Sequence, residues 1–190
     1  MMVLGIVGSP RRGGNTEVLM EEALAAARKA GAETEIVLVA DKKISGCDGC
    51  ASCFKTGVCR IKDDMQAIYQ QMEIADAIIL GSPVYFGSVT AQMKAVIDRT
   101  YLFIGDSRLK GKVAALVLAL GKVGAGQTQS QVYLYFVNQG MISVRGAVGY
   151  GREKGAVRTG DGARIDMKAL EEARSLGTEV VDMLRKLGVK

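Results

Sequence analysis

Val3-Leu4-Gly5-Ile6-Val7-Gly8-Ser9-Pro10-Arg11-Arg12-Gly13-Gly14-Asn15-Thr16-Glu17 is the stretch on which the fold turns. Val3 to Val7 is an apolar run of strand type that enters a loop of Gly, Ser and Arg. From Glu17 to Ala30, Ala, Leu and Met recur at helical spacing until Gly31 stops the helix. The same alternation continues outward. Glu35–Val39, Ala77–Leu80, Val113–Leu120 and Met141–Val148 read as four further short strands. Helices are predicted from Asp63 and Asp64 through Met72, over Val89–Ile104, over Gln129–Asn138, and over Ile165–Leu187 as a closing amphipathic element. Acidic residues favour a first helical turn, which supports the start at Asp63 and Asp64. Gly149 to Gly162 is rich in Gly and charge and predicts a mobile loop. Five nearly continuous apolar strands alternating with helices predict an α/β fold, a doubly wound parallel sheet with helices on both faces.

The chain has 190 residues, 48% hydrophobic and 24% charged, which predicts a single domain over 1–190 with a sizeable core and excludes a disordered chain. Its longest apolar run, Val113–Leu120, is far short of the roughly 20 residues of a membrane span. Met1 to Val7 reads as a first strand and not as a secretory signal, so a cytoplasmic protein is expected. Lys and Arg exceed Asp and Glu by 25 to 20, a net charge of +5. The basic residues are scattered, aromatics are 5% and Trp is absent, so nucleic acid is not expected and bound anions better explain the excess. The chain has no His, which excludes His-dependent triads and leaves sulfur and carboxylate for any metal.

Three glycine-bearing loops fall at the C-terminal edge of the predicted sheet, where open α/β sheets bind ligands beside the topological switch point. The first, Ser9 to Thr16, joins a strand to a helix and offers hydroxyls, the Asn15 amide and the cations Arg11 and Arg12. Backbone N–H groups and the helix dipole can hold a phosphate there. The loop matches neither G-x-x-x-x-G-K-[ST] nor G-x-G-x-x-G, so it points to a monophosphate. The plainer reading is a turn capped by Asn15 or Thr16. The second, Ser82-Pro83-Val84-Tyr85-Phe86-Gly87-Ser88, sets two aromatics between Pro and Gly as a platform for a planar heterocycle, unless the pair packs in the core. The third is Gly121 to Gln127, with Gly124 and Gly126.

Cys47-x2-Cys50-x2-Cys53-x5-Cys59 is the strongest chemical signal, and Gly46, Gly49 and Gly57 let the backbone wrap. Four closely spaced thiols suit a 4Fe-4S cluster, with zinc or ordinary thiols as alternatives. Lys94, Asp98 and Arg99 share a predicted helix; they are either a surface set or residues that position a loop or a dimer contact. The nine Met, including Met65, Met72 and Met93, are assigned to core packing.

Gly8-Ser9-Pro10-Arg11, the cysteine set, Asp63-Asp64-Met65, Pro83-Val84-Tyr85 and Lys94 with Asp98-Arg99 together resemble the iron-sulfur flavoproteins, within the flavodoxin-like NAD(P)H:FMN reductase superfamily. The resemblance covers nearly the whole chain. It implies a flavodoxin-like sheet of order 2-1-3-4-5 and FMN as cofactor, the phosphate on Ser9, Arg11, Asn15 and Thr16. The isoalloxazine would lie against Pro83, Val84, Tyr85, Phe86, Gly87 and Ser88, with Gly124, Gly126 and Gln127 closing the other side. Cys47, Cys50, Cys53 and Cys59 would hold a 4Fe-4S cluster. A ferredoxin-like donor and small-molecule acceptors such as oxygen, peroxide or quinones are implied. The alternatives are an NAD(P)H-dependent FMN or quinone reductase without a cluster, and a flavodoxin-like carrier or interaction protein. In that strand order the cysteine loop follows strand 2, to one side of the flavin loops, which predicts a homodimer or homotetramer that brings the two together.

Overall fold

The structure, a computed structural model, describes residues 1–151 and 166–189. Most of the loop predicted over Gly149–Gly162, and Ile165, lie outside the described residues. The strands are β1 (Met2–Val7), β2 (Glu33–Leu38), β3 (Ala77–Pro83), β4 (Val113–Leu120), β5 (Ile142–Ser143) and β6 (Ala147–Tyr150). The helices are α1 (Asn15–Lys29), α2 (Cys53–Thr56), α3 (Met65–Ile74), α4 (Ala91–Arg99), α5 (Ala125–Asn138) and α6 (Met167–Lys186). The sheet order is β2-β1-β3-β4-β5, all parallel, as expected.

Every residue of β4 is buried, which is why it reads as an unbroken apolar run. Its two faces separate by alternation. Val113, Ala115, Val117 and Ala119 pack with α1 and α6, whereas Ala114, Leu116 and Leu118 pack with α3, α4 and α5. Helices therefore cover both faces. β2 is the edge strand, and Glu33 and Glu35 are exposed on it, charges that discourage edge pairing.

Two predicted elements are divided in the structure. The strand expected over Met141–Val148 splits into β5 and β6, both paired with β4. Ile142 faces Val113, an offset that has grown by one residue when Ala147 faces Val117. One extra residue between them makes a bulge. Gly146 lies in it, and a Cβ there would meet the Leu116 carbonyl oxygen at 2.9 Å. The helix expected over Val89–Ile104 is α-helical only over Ala91–Arg99, then tightens into a 3-10 turn at Thr100–Phe103. Among the described residues no helix is long and apolar enough to cross a membrane.

Candidate functional site

The loops after β1, β3 and β4 meet at the C-terminal edge of the sheet. Gly8 starts the first; its N–H donates to the Gly81 carbonyl at 2.7 Å. A Cβ on Gly8 would sit 2.5 Å from the Met93 Cβ, so only glycine lets this loop rest on α4. α1 begins at Asn15, two residues before the predicted start, with Gly14 at the N-cap position and no side-chain cap. Neither Asn15 nor Thr16 caps the helix, so its N-terminus keeps the character of an anion site. Ser9 is buried, and its Oγ accepts from the Arg11 N–H at 3.1 Å. Arg12 is drawn away into an ion pair with Asp41, whose carboxyl is held below its usual range by the guanidinium hydrogen bond. Arg11 has no carboxylate partner among the described residues and turns to the cavity.

A buried hydroxyl network ties the second loop to the first. Ser82 Oγ accepts from the Thr90 N–H at 3.1 Å, and Thr90 Oγ1 donates to the Gly8 carbonyl at 2.6 Å while it accepts from the Met93 N–H at 3.1 Å. Beyond Pro83 the chain closes a tight turn. The Tyr85 N–H donates to the Ser88 carbonyl at 2.9 Å and the Ser88 N–H to the Tyr85 carbonyl at 3.1 Å. Phe86 (φ 51°) and Gly87 (φ 74°) both take left-handed conformations at its centre. Phe86 is fully exposed and Tyr85 is 45% exposed, so the aromatic pair is not core.

A cavity of about 260 Å³ opens between these loops. It brings together Ser9, Arg11, Asn15, Thr16, Pro83, Val84 and Tyr85, with Gly14, Ala119, Leu120, Gly121 and Gly151. Phe86, Gly87, Ser88, Gly124, Gly126 and Gln127 are not in its lining. Gly126 and Gln127 lie in the first turn of α5, which starts earlier than its apolar pattern indicates. Gly124 (φ 104°) presses on the turn, where a Cβ would meet the Gly87 Cα at 3.1 Å. Ser88 Oγ donates to Gln131 Oε1 at 2.8 Å. Sequence reading missed Ala119, Leu120 and Gly151. The first two could have been found, because they end β4 at the switch point. Gly151 receives a hydrogen bond from Asn15 Nδ2 at 3.0 Å, a contact between residues far apart in the chain that leaves no local signal.

The cysteine loop follows β2 and the short 3-10 turn at Val39–Asp41. Cys47 and Cys50 are exposed, and Cys53 and Cys59 are half-buried. Gly49, Ala51 and Gly57 take left-handed conformations along it. All four cysteines are among the residues that line one small cavity of about 20 Å³, together with Arg99 and Tyr101. Their number and kind suit a thiolate-held cluster. As placed, no three Cys, Asp or Glu side chains among the described residues converge into a metal-ligand group. The Cys50 thiol is held below its usual range, first by the Ser52 hydroxyl, whose Oγ lies 3.4 Å from Sγ, and by the Ser52 amide, with Arg60 adding to the effect.

The three charges of α4 separate. Lys94 and Asp98 form an exposed pair at 2.7 Å, the i,i+4 surface contact. Arg99 is 2% exposed. It makes a two-point contact with Asp63, at 2.8 and 3.1 Å. Burial raises the Asp63 carboxyl, but the hydrogen bonds from Arg99 and from the Ser45 and Met65 amides outweigh it and hold it below the usual range.

The sequence profile of the NADPH-dependent FMN reductase family matches residues 1–154. An iron-sulfur flavoprotein of Methanocaldococcus jannaschii is 39% identical over 97% of this chain and 98% of its own. One from Archaeoglobus fulgidus is 36% identical over 96% of this chain and 80% of its own. Among solved structures, a WrbA-like flavodoxin from Agrobacterium tumefaciens superimposes with a TM-score of 0.65 at 19% identity, covering 97% of each chain, a likeness of fold.

Proposed function

The chain belongs to the iron-sulfur flavoproteins of the NADPH-dependent FMN reductase family and is a flavin oxidoreductase, and from that premise we propose that each chain binds one FMN and one 4Fe-4S cluster and that the protein passes electrons between the two kinds of centre. The observation that carries this reading is that a phosphate-type cavity and a four-thiol cavity both open from loops that follow parallel strands, β1, β3 and β4 for one and β2 for the other. When bound, FMN supplies a carrier that takes electrons in pairs and gives them singly, and the cluster one that takes them singly. Ser9, Arg11, Asn15 and Thr16 hold the phosphate at the uncapped start of α1. Pro83, Val84 and Tyr85 bound the isoalloxazine, with Phe86, Gly87 and Ser88 in the turn beyond and Gly124, Gly126 and Gln127 behind that turn. Cys47, Cys50, Cys53 and Cys59 hold the cluster. A ferredoxin-like protein donates, a small molecule accepts, and the working unit is a homo-oligomer.

Anaerobic purification followed by a visible spectrum and by flavin, iron and sulfide analysis tests this. A brown protein with one FMN and about four irons per chain, reduced by a ferredoxin and preferring FMN to FAD, is the expected result. The failure of the thiols to converge favours one other reading, an NAD(P)H-dependent FMN or quinone reductase without a cluster. A yellow, iron-free protein that NADPH reduces at once would establish that reading instead.

A further inference from the structure

Arg99 has the greatest volume among the fully buried side chains of the described residues, and it is a cation. Burying a guanidinium beside a single carboxylate is costly compared with an apolar residue of the same volume. What surrounds it gives the charge a purpose. Nη1 donates to the Ser45 carbonyl at 3.0 Å and Nη2 to the Ile61 carbonyl at 3.2 Å. Nε donates to the Tyr69 hydroxyl at 3.2 Å, and that hydroxyl donates back to the Arg99 carbonyl at 3.0 Å. Asp63, paired with the guanidinium, accepts from the Ser45 N–H at 2.9 Å. Ser45 stands two residues before Cys47 and Ile61 two residues after Cys59. Arg99 thus grips both flanks of the cysteine loop at once, which the planar five-donor fork of arginine permits and the point charge of lysine does not. Between the flanks the chain forms only the single turn α2 (Cys53–Thr56), with no helix or strand at 45–52 or 57–61 to fix the loop by itself. Asp64 adds a second tie, accepting from the Lys43 N–H at 2.7 Å.

We propose that Arg99 is a positioning residue for the four-thiol site: it fixes the span between the two ends of the loop, and with it the separation of Cys47 from Cys59. Arg99 is also among the residues that line the cavity shared by the four cysteines, and its charge interacts with Cys59, so it favours the negative charge that thiolates bring to anything they hold. This inference deepens the cluster reading above and rests on it for the identity of the occupant.

The test uses the full chain saturated with FMN, in Arg99→Gln, Arg99→Lys and Asp63→Asn variants beside the unaltered protein. Amide hydrogen exchange is read first on iron-free protein, then iron and sulfide per FMN after anaerobic reconstitution, then the midpoint potential of whatever cluster forms. In Arg99→Gln, exchange over residues 43–62 should rise at least about tenfold while Val113–Leu120 stays protected, the loss of a charge-assisted hydrogen bond being worth about that factor. Iron uptake should fall by a similar factor with FMN still bound. Arg99→Lys should recover part of the iron, and its cluster should lie at a higher potential than any formed in Arg99→Gln. Unchanged exchange and unchanged iron in Arg99→Gln overturn the proposal and leave the cluster reading standing. If the unaltered protein takes up no iron yet exchange rises in the variant, the clamp stands and the cluster reading falls. Should Arg99→Gln fail to hold FMN, Asp63→Asn, which keeps the volume and removes the counter-charge, decides on the same criteria.

Discussion

Arg11 and Arg12 are neighbours in the chain with different partners. Arg12 spends its charge on Asp41, with Nε 2.7 Å from Oδ1, and Arg11 lines the cavity at the start of α1. Arg11→Ala should therefore weaken FMN by about 1.5 to 3 kcal/mol, roughly 10- to 150-fold in Kd, and Arg12→Ala by less than about threefold. Titration calorimetry with FMN checks both; equal losses would mean that the loop uses its cations interchangeably. Asp63 carries a pH signature. Its carboxyl is depressed in the folded chain, so the stability it contributes is present above the ordinary Asp value of about 3.9 and is lost as pH falls below that value toward the folded one. Acid unfolding of the iron-free protein should thus lose a component below about pH 4 in Asp63→Asn, and urea midpoints measured across that window check it. The sequence carried a signal for this pair that helix spacing alone did not use. Met93, Val96 and Arg99 recur every three residues and all three are buried, so Arg99 sits in the apolar row of α4, while Lys94 and Asp98 occupy the wet row. A cation in an apolar row announces a buried partner, but which partner depends on a contact with Asp63 across 36 positions of chain.

At the scale of elements, α4 joins the two sites. Its N-cap Thr90 holds the Gly8 carbonyl, in the loop that starts the phosphate pocket, and its last residue Arg99 holds the ends of the cysteine loop. Thr90→Val keeps the shape and removes the hydroxyl, leaving the Gly8 carbonyl and the Met93 N–H without this partner. It should cost about 1 to 2 kcal/mol in urea unfolding and loosen FMN as well, because the Gly8 loop loses its tether. A stability loss with unaltered FMN affinity would restrict Thr90 to capping. The strands and their order were legible because burial on both faces demands unbroken apolar runs, as in β4. The bulge between β5 and β6 was not, because one inserted residue, with Gly146 beside it, leaves the apolar run intact. The start of α5 was missed for the opposite reason. Gly124 and Gly126 signal a loop, yet only Gly124 is left-handed, and Gly126 continues the helix. Of the two sites, the cysteine spacing and the Ser9 to Thr16 loop were plain in the sequence, whereas Ala119, Leu120 and Gly151 belong to the cavity only because β4 and β6 end beside α1.

At the scale of the whole molecule, the two cavities share no lining residue among the described residues. The cysteine loop leaves from the edge strand β2, outside β1, so within one chain it is displaced from the pocket between the loops of β1, β3 and β4. Beside the thiols runs an apolar groove of about 640 Å³, lined by Cys47, Gly49 and Ala51 and by Tyr101, Ile104 and Leu134. Tyr101 is 49%, Ile104 42% and Leu134 60% exposed, large apolar surface that a second copy of the chain would cover in an isologous contact. If that contact also sets the thiols of each chain against the pocket of the other, flavin and cluster exchange electrons between subunits, which is the prediction. Mixed dimers test this when one chain carries Cys53→Ala and keeps only its flavin, while the other carries Arg11→Glu, opposing the phosphate with a carboxylate, and keeps only its cluster. Every flavin-to-cluster transfer in such a dimer must cross the interface. Rapid-mixing reduction should therefore show the cluster reduced after the flavin at close to the rate of the unaltered protein. If mixed dimers holding one flavin and one cluster pass no electrons, transfer runs within a chain, and the cysteine loop must then reach over its own β1 loop to deliver them.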